Sequence, residues 1–454
     1  MEFSGIKKIL VLGLGKSGCD AVKLAREKNF EIIAIDEAEN EFLLQQKHDL
    51  EKEGMNVYLG YKDDFLPLAD MIIISPGISE NSFLGKLALS SGVRIISEIE
   101  FAFHYIVQPI IAITGTNGKT TVTELCTHML KNLGVKAVCA GNIGIPLADI
   151  VRNKVNCDFI VLEISSFQLH YCVEFKPHIA VVLNIESDHI DWHGSFEAYT
   201  EDKLKIGANQ NTKDFLVINE YLLPLMKKSK YRLAGEIQTI SAKSKRALFC
   251  VSGNFIYSKN KRICSLQTLG MMGKSPHNIE NSLACIAVCE NLGFEFKEIV
   301  KNFKGFTTGE HRLEFVGEKN GIKFINDSKS TNPLSIIAAL EAVGGNHNVC
   351  LIAGGLDKDM DFSLVLEHKD KIKKIFLVGK SKNKLENLFR YVIDYAIFDL
   401  FEQSVNAACD CAESGDVVLL SPGCASMDMF KDYIERGFFF KEIIKRRCFE
   451  NESV

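Results

Sequence analysis

Short runs rich in aliphatic residues end at a glycine-bearing or acidic corner and continue as helix along nearly the whole chain. This alternation limits the fold more than any other feature. Runs of this kind read as strands at 6–12, 31–35, 70–74, 110–113, 159–162, 179–183 and 215–218, and again at 323–325, 349–352, 374–378 and 417–420. Continuous apolar strands belong to parallel sheets covered on both faces, and the helical patterns between them supply the crossovers. The class is therefore α/β. Residues 236–257 read instead as a β-rich meander, and 278–291 as a helix. After residue 118 a helix shows Val122, Leu125, Cys126, Met129, Leu130 and Leu133 at 3.6 spacing, with Gly134 as its C-cap.

A length of 454 residues predicts about three domains. The expected division is 1–98, 99–309 and 310–454: a Rossmann-like N-terminal domain, a central P-loop-type ATPase domain and a Rossmann-like C-terminal domain. ADMIIISPGIS (69–79) and GDVVLLSPGCAS (415–426) each run from an acidic turn through a buried strand to Ser-Pro-Gly. Two similar strand ends in two α/β domains account for the echo and support separate first and last domains.

Charge and cysteine usage exclude several classes. A net charge of −5 offers no basic field for nucleic acid or an anionic membrane. No apolar run reaches the roughly 18 residues of a membrane span, and the four apolar residues 9–12 after Lys7 and Lys8 are too few for a secretory leader. The fourteen cysteines are scattered without a C-x-x-C pair, as expected for buried thiols in a reducing compartment. A cytoplasmic protein without nucleic-acid or membrane partners is expected.

The chemistry concentrates at strand ends. IAITGTNGKTT (111–121) is strand, glycine turn, helix. Backbone N–H groups of Gly115, Thr116, Asn117, Gly118 and Thr121 can approach an anion there, Lys119 adds a full charge, and the Thr120 hydroxyl suits Mg²⁺. This is a shortened P-loop, because Ile113 stands where the longer motif has glycine. GLGKSG (13–18) matches G-x-G-x-x-G, with Asp36 18 residues beyond its last glycine. Three readings stand for it: an NAD-like dinucleotide, another nucleotide diphosphate, or glycines used for packing.

Glu163 closes a buried strand and reads as a Mg²⁺ ligand or as a solvated strand end. His189 and His193, with Asp188 and Asp191 in SDHIDWH, read as a phosphate–Mg²⁺ site, a zinc site or a structural pair. Arg312, beside His311, reads as a γ-phosphate fork or a surface ion pair. NDSKSTNP (326–333) and AGGLDKDMDF (353–362) add two further polar strand ends.

GTNGKTT, GNIG (141–144), VLEISSFQL, SDHIDWH, HNIEN (277–281), EHR, NDSKSTNP and SPGCAS occur in the order found in the Mur ligases, and over the whole chain the sequence resembles that family. These are ATP-dependent ligases that build the peptidoglycan stem peptide. NDSKSTNP and LSPGCASMDMF resemble the member that adds D-glutamate to UDP-N-acetylmuramoyl-L-alanine.

The resemblance implies ATP as phosphoryl donor, two Mg²⁺ sites and an acyl-phosphate intermediate, with a monomeric enzyme. It places Gly115–Thr121, Asn278, Asn281, His311, Arg312, Asp327 and Lys329 at ATP. Lys16, Ser17, Asp36, Gly77, Asn142 and His189 would hold the UDP substrate. Lys16 and Glu37 are charged where relatives often are not. Thr331, Lys358, Ser426 and Tyr433 would receive D-glutamate. Thr120, Glu163, His189 and Lys203 would hold the metals, Lys203 as a CO₂-derived carbamate.

Lys119, His189, Lys203 and Arg312 are the implied catalytic groups. Carbamylation needs a neutral amine, only about one in a thousand for an ordinary lysine at pH 7.4, so burial or nearby cations would have to lower its pKa. An unmodified, salt-bridged Lys203 is the other reading. Related ligases of other acceptors, an NAD oxidoreductase and a binding-only relative are the alternatives.

Overall fold

Every strand expected from a continuous apolar run is present in the computed structural model, which describes residues 3–448 apart from 304, 307, 308, 358 and 359. Among these residues the strands form three sheets. The first is wholly parallel, in the order Asn56–Tyr58, Glu31–Ile35, Lys8–Leu12, Met71–Ile74, Arg94–Ser97. Its order reverses beside Lys8–Leu12, the crevice at which sheets of this kind bind ligands.

In the second sheet Glu236–Ser241, Phe215–Asn219, Ile179–Val182, Ile110–Thr114, Phe159–Glu163 and Ala137–Gly141 run parallel. The meander reading holds only in part: Phe249–Ser252 also joins in parallel, and antiparallel pairing begins with Phe255–Ser258 and Lys261–Ser265. The third sheet has the order Glu314–Lys319, Ile322–Asn326, Val417–Leu420, Val349–Ala353, Ile372–Leu377, Tyr395–Ile397, with only its first strand antiparallel.

Among the described residues six strands lie outside the apolar runs and the meander read from the sequence: Asn56–Tyr58, Arg94–Ser97, Ala137–Gly141, Lys261–Ser265, Glu314–Lys319 and Tyr395–Ile397. Each is the outermost strand of its sheet. An edge strand has a neighbour on one side only and is partly wet, so burial does not demand aliphatic side chains along its length.

The chain divides into two compact units, Met1–Phe306 and Thr307–Val454. In the first unit, helices Lys16–Glu27, Glu98–Phe103 and Leu147–Arg152 pack on one another. Their residues Ala21, Ile99, Phe101, Leu147 and Ala148 belong to one apolar core that continues from the first sheet into the second. The second unit buries its sheet between two further clusters, one including Ile336, Leu340 and Phe389, the other Phe401, Phe440 and Ile444. All fourteen cysteines are free thiols.

Candidate active site

The strand Ile110–Thr114 delivers the chain into the glycine loop, and Gly118 starts the helix Lys119–Asn132 as its N-cap with φ +81°. A Cβ at Gly118 would lie 2.6 Å from Asn281 Oδ1, so conformation and space both demand glycine there. The loop is framed from the neighbouring strand end. Asn117 N–H donates to Asn184 Oδ1 at 2.7 Å, Asn184 Nδ2 donates to Asn117 O at 3.1 Å, and Thr116 N–H donates to Asn184 O at 3.0 Å. Lys119 Nζ lies across the loop, donating to the carbonyls of Gly115 (2.7 Å) and Thr116 (2.8 Å). Thr121 is buried beside it, and Asn278 follows the N-cap Ser275 of the helix Pro276–Asn291 that carries Asn281.

Phe159–Glu163 is the adjacent strand, and it aims Glu163 at the same helix start. The buried carboxylate accepts Thr120 Oγ1 at 2.6 Å and Asn142 Nδ2 at 2.8 Å. Lys203, from the helix Phe196–Leu204, is only 2% exposed. Its Nζ donates to Gly115 O at 2.8 Å, the carbonyl already used by Lys119, and lies 4.5 Å from the centre of the Tyr199 ring. Burial first, and the Lys119 charge second, hold Lys203 well below the ordinary lysine value. Among the described residues no carboxylate forms an ion pair with it, so the salt-bridged reading has no partner here.

The histidines of SDHIDWH separate. His189, at φ +54°, caps the single turn Ile190–His193, with Nε2 3.6 Å from Asp188 Oδ2 and its ring against Phe167. His193 faces away: Nε2 meets Ser166 Oγ at 3.0 Å and Nδ1 meets Asp202 Oδ2 at 2.8 Å. Asp202 also meets His170 Nδ1 at 2.8 Å, and His170 Nε2 lies 3.0 Å from Glu80 Oε1. Burial raises the Asp202 carboxyl, but the two histidine hydrogen bonds outweigh it and leave the group below its usual value. With both nitrogens of His193 engaged, and no set of three or more His, Cys, Asp or Glu placed for a metal among the described residues, the zinc reading has no support. Neither Asp202 nor His170 is signalled in the sequence, because nothing marks residues so far apart as partners.

The first glycine loop lies in the same unit. Its helix begins at Lys16, inside the motif rather than after it. Lys16 Nζ donates to Gly144 O at 2.7 Å, tying this loop to GNIG, and Ser17 Oγ donates to Glu98 Oε2 at 3.2 Å. Asp36 accepts the N–H groups of Leu14 (2.7 Å) and Ala38 (2.9 Å), which brace the turn. Gly18 packs against the Gly13 carbonyl, where a Cβ would lie 1.8 Å away. Gly77 follows the strand Met71–Ile74 at the same sheet edge.

In the second unit, the neighbouring strands Ile322–Asn326, Val417–Leu420 and Val349–Ala353 release their loops at one sheet edge. Asp327 is buried and accepts Ser421 Oγ (3.0 Å) and Leu313 N–H (3.1 Å); desolvation pushes its carboxyl up to about 7 against these bonds and the charge of Arg312. Asn326 Nδ2 faces His311 Nδ1 at 2.9 Å, which assigns the ring proton to Nε2. Lys329 donates its N–H to His311 O at 3.1 Å and holds Nζ 3.8 Å from the centre of the Tyr433 ring. Thr331 is half-buried just before the N-cap Asn332, and Ser426 is buried in the loop after Val417–Leu420. Lys358 lies outside the described residues.

Three models of one family match in succession along the chain: the Mur ligase MurD-like N-terminal domain at 7–97, the Mur ligase middle domain at 113–289 and the Mur ligase glutamate ligase domain at 311–424. The chain belongs to the Mur ligase family. Among curated members, the UDP-N-acetylmuramoylalanine–D-glutamate ligase of Thermoanaerobacter pseudethanolicus is 39% identical, over 98% of this chain and 99% of its own. The ligase of the same name from Caldanaerobacter subterraneus is 38% identical, over 96% and 98%.

Solved Mur ligases share the fold. UDP-N-acetylmuramate–alanine ligase MurC of Thermotoga maritima has a TM-score of 0.61 at 16% identity, covering 97% of this chain and 99% of its own. MurF ligase of the same organism, solved in complex with ADP, has a TM-score of 0.58 at 16% identity, covering 98% and 97%.

Proposed function

We propose that this Mur ligase joins D-glutamate to UDP-N-acetylmuramoyl-L-alanine with cleavage of ATP, in the cytoplasm and as a monomer. The observation that carries the reading is the meeting of Lys119, Thr120, Glu163 and Lys203 at one glycine loop in a chain 39% identical to ligases of that name. A carboxylate resists attack by an amine, because loss of an oxide leaving group is prohibitive. An oxygen of the L-alanine carboxylate attacks the γ-phosphorus, ADP departs, and an acyl phosphate forms. The D-glutamate amine then attacks the acyl carbon; phosphate leaves with the C–O bonding pair, and the amine gives up a proton.

Each role falls to a group whose chemistry suits it. The N–H groups of Gly115–Thr121 and the Lys119 ammonium offset negative charge at the phosphates, as Arg312 does during transfer. Asn278, Asn281, His311, Asp327 and Lys329 position ATP. Lys16, Ser17, Asp36, Gly77, Asn142 and His189 hold the UDP substrate, and Thr331, Lys358, Ser426 and Tyr433 the D-glutamate. The buried hydroxyl and carboxylate oxygens of Thr120 and Glu163 are the hard donors Mg²⁺ prefers. A second Mg²⁺ would be held by His189 and a Lys203 carbamate, for which an amine of depressed pKa, with no ion pair among the described residues, is suited. Bound there, Mg²⁺ supplies charge neutralisation at the transferring phosphoryl group.

The test is phosphate release from ATP with UDP-N-acetylmuramoyl-L-alanine, Mg²⁺ and either glutamate enantiomer. Release that requires both the UDP substrate and D-glutamate, with the amide seen by mass spectrometry, is expected. Turnover only with another amino acid or with a folate would replace the substrate assignment, and silence with every acceptor would favour a binding-only relative.

A further inference from the structure

Arg436 is the largest fully buried side chain described, 1% exposed within the helix Tyr433–Cys448. Its guanidinium donates from Nε to Ser328 Oγ (3.0 Å), from Nη2 to Ser328 O (2.7 Å) and from Nη1 to Cys424 O (3.1 Å). All three acceptors are neutral, and no carboxylate pairs with it among the described residues. Burial lowers the guanidinium to about 10, so it is a cation at neutral pH. A buried charge with no direct ion pair, on which Asp428 and Asp327 act only through space, is costly, and an aliphatic side chain would fill the space without that cost. The position of this charge is what distinguishes it. Ser328 precedes Thr331 on one strand-end loop, Cys424 precedes Ser426 on the next, and Tyr433 lies one helical turn before Arg436.

Secondary contacts extend the same pinning. Ser328 Oγ donates to Tyr433 O at 2.8 Å, Gly423 N–H donates to Ser330 O at 3.0 Å, and Leu356 and Ala425 exchange backbone hydrogen bonds of 2.8 and 3.0 Å. A Cβ on Gly355 would lie 2.3 Å from Ala425 O and 3.4 Å from Arg436 Nη1, so the third loop closes onto the same point.

We propose that Arg436 is a positioning and specificity-determining residue for the incoming amino acid: it locks the loops of Thr331 and Ser426 in register and supplies a fixed positive field that selects a substrate bearing two carboxylates. The inference rests on the D-glutamate reading above. A planar fork donating in three directions is beyond the reach of lysine, and a fixed charge in a region of low dielectric acts at longer range than one in water.

The experiment is steady-state kinetics of the full chain with each substrate varied in turn, for Arg436→Lys, Arg436→Met and the milder Ser328→Ala, with Tm measured for each. Arg436→Lys and Ser328→Ala are expected to raise the KM for D-glutamate about tenfold and about threefold. The KM for ATP and for the UDP substrate should stay within about twofold, and kcat within about threefold. Arg436→Met, where it folds, should raise that KM further and narrow the preference for D-glutamate over D-glutamine. A fall in Tm with every KM unchanged would make Arg436 a packing residue and overturn the proposal, as would an equal rise in all three KM values. Should the wild type turn over only with a different amino acid, the substrate reading fails, while the KM split measured with that amino acid still decides the role of Arg436.

Discussion

Thr120 Oγ1 donates to Glu163 Oε2 at 2.6 Å, so a helix-start hydroxyl and a strand-end carboxylate 43 residues apart meet at the foot of the glycine loop. If both oxygens face one Mg²⁺, Thr120→Val should raise half-saturating Mg²⁺ and cut kcat by about 100-fold, with Thr120→Ser close to wild type. Mg²⁺ titration of the initial rate checks this. An unchanged Mg²⁺ dependence in Thr120→Val would sink the metal assignment.

Lys203 carries the next expectation. Its buried amine lies below the ordinary lysine pKa, which enriches the neutral form that the proposed carbamate requires. Wild-type activity should fall in bicarbonate-free buffer and return when bicarbonate is added. Lys203→Ala should lose about 10²–10³-fold in kcat, ignore bicarbonate, and recover in part with a short carboxylic acid that stands in for the carbamate. A wild type indifferent to bicarbonate, with no 44-Da adduct in native mass spectra, would instead leave Lys203 working as a plain amine.

Gly118 offers a backbone test. Alanine there must adopt φ +81° and push its Cβ to within 2.6 Å of Asn281 Oδ1. Gly118→Ala should cost about 1–3 kcal/mol, visible as a lower Tm, and raise the KM for ATP more than that for D-glutamate. Retention of both values would mean that the loop relaxes freely.

Glu98 links stability to pH. It is buried where Ser17 Oγ (3.2 Å) and Ala148 N–H (2.6 Å) meet, and desolvation raises its carboxyl to about 7 against these bonds. A raised acid holds its proton in the folded state while the unfolded chain, near 4.5, has released it. Folding therefore loses stability as pH climbs from about 4.5 to 7, by about 3 kcal/mol in all, and the loss is complete above 7. Glu98→Gln removes this dependence. Its Tm relative to wild type should rise between pH 5 and pH 8, and a constant difference across that range would refute the linkage.

The sequence by itself determined the fold class, the central strands and the glycine loops. Buried parallel strands need unbroken aliphatic runs, and a tight strand-to-helix corner at a phosphate needs glycine. Both are local demands, and both are written locally. It also set apart Lys119, Thr120 and Glu163 through local strand-to-helix motifs, whereas Lys203 was marked only by the family resemblance. What only the tertiary structure decided is everything that depends on residues meeting across long separations. Edge strands such as Arg94–Ser97 exist because a neighbour pairs with them. Asp202 gathers His170 and His193, and Glu98 is buried by helices from either side of it in sequence. Arg436 looks like one more charge in a basic terminal helix until Ser328 and Cys424 close around it. Propensity and periodicity report which face of an element is buried; which partner waits there is settled by the whole chain's packing, because desolvation and hydrogen bonding act through space and carry no trace in the neighbouring sequence.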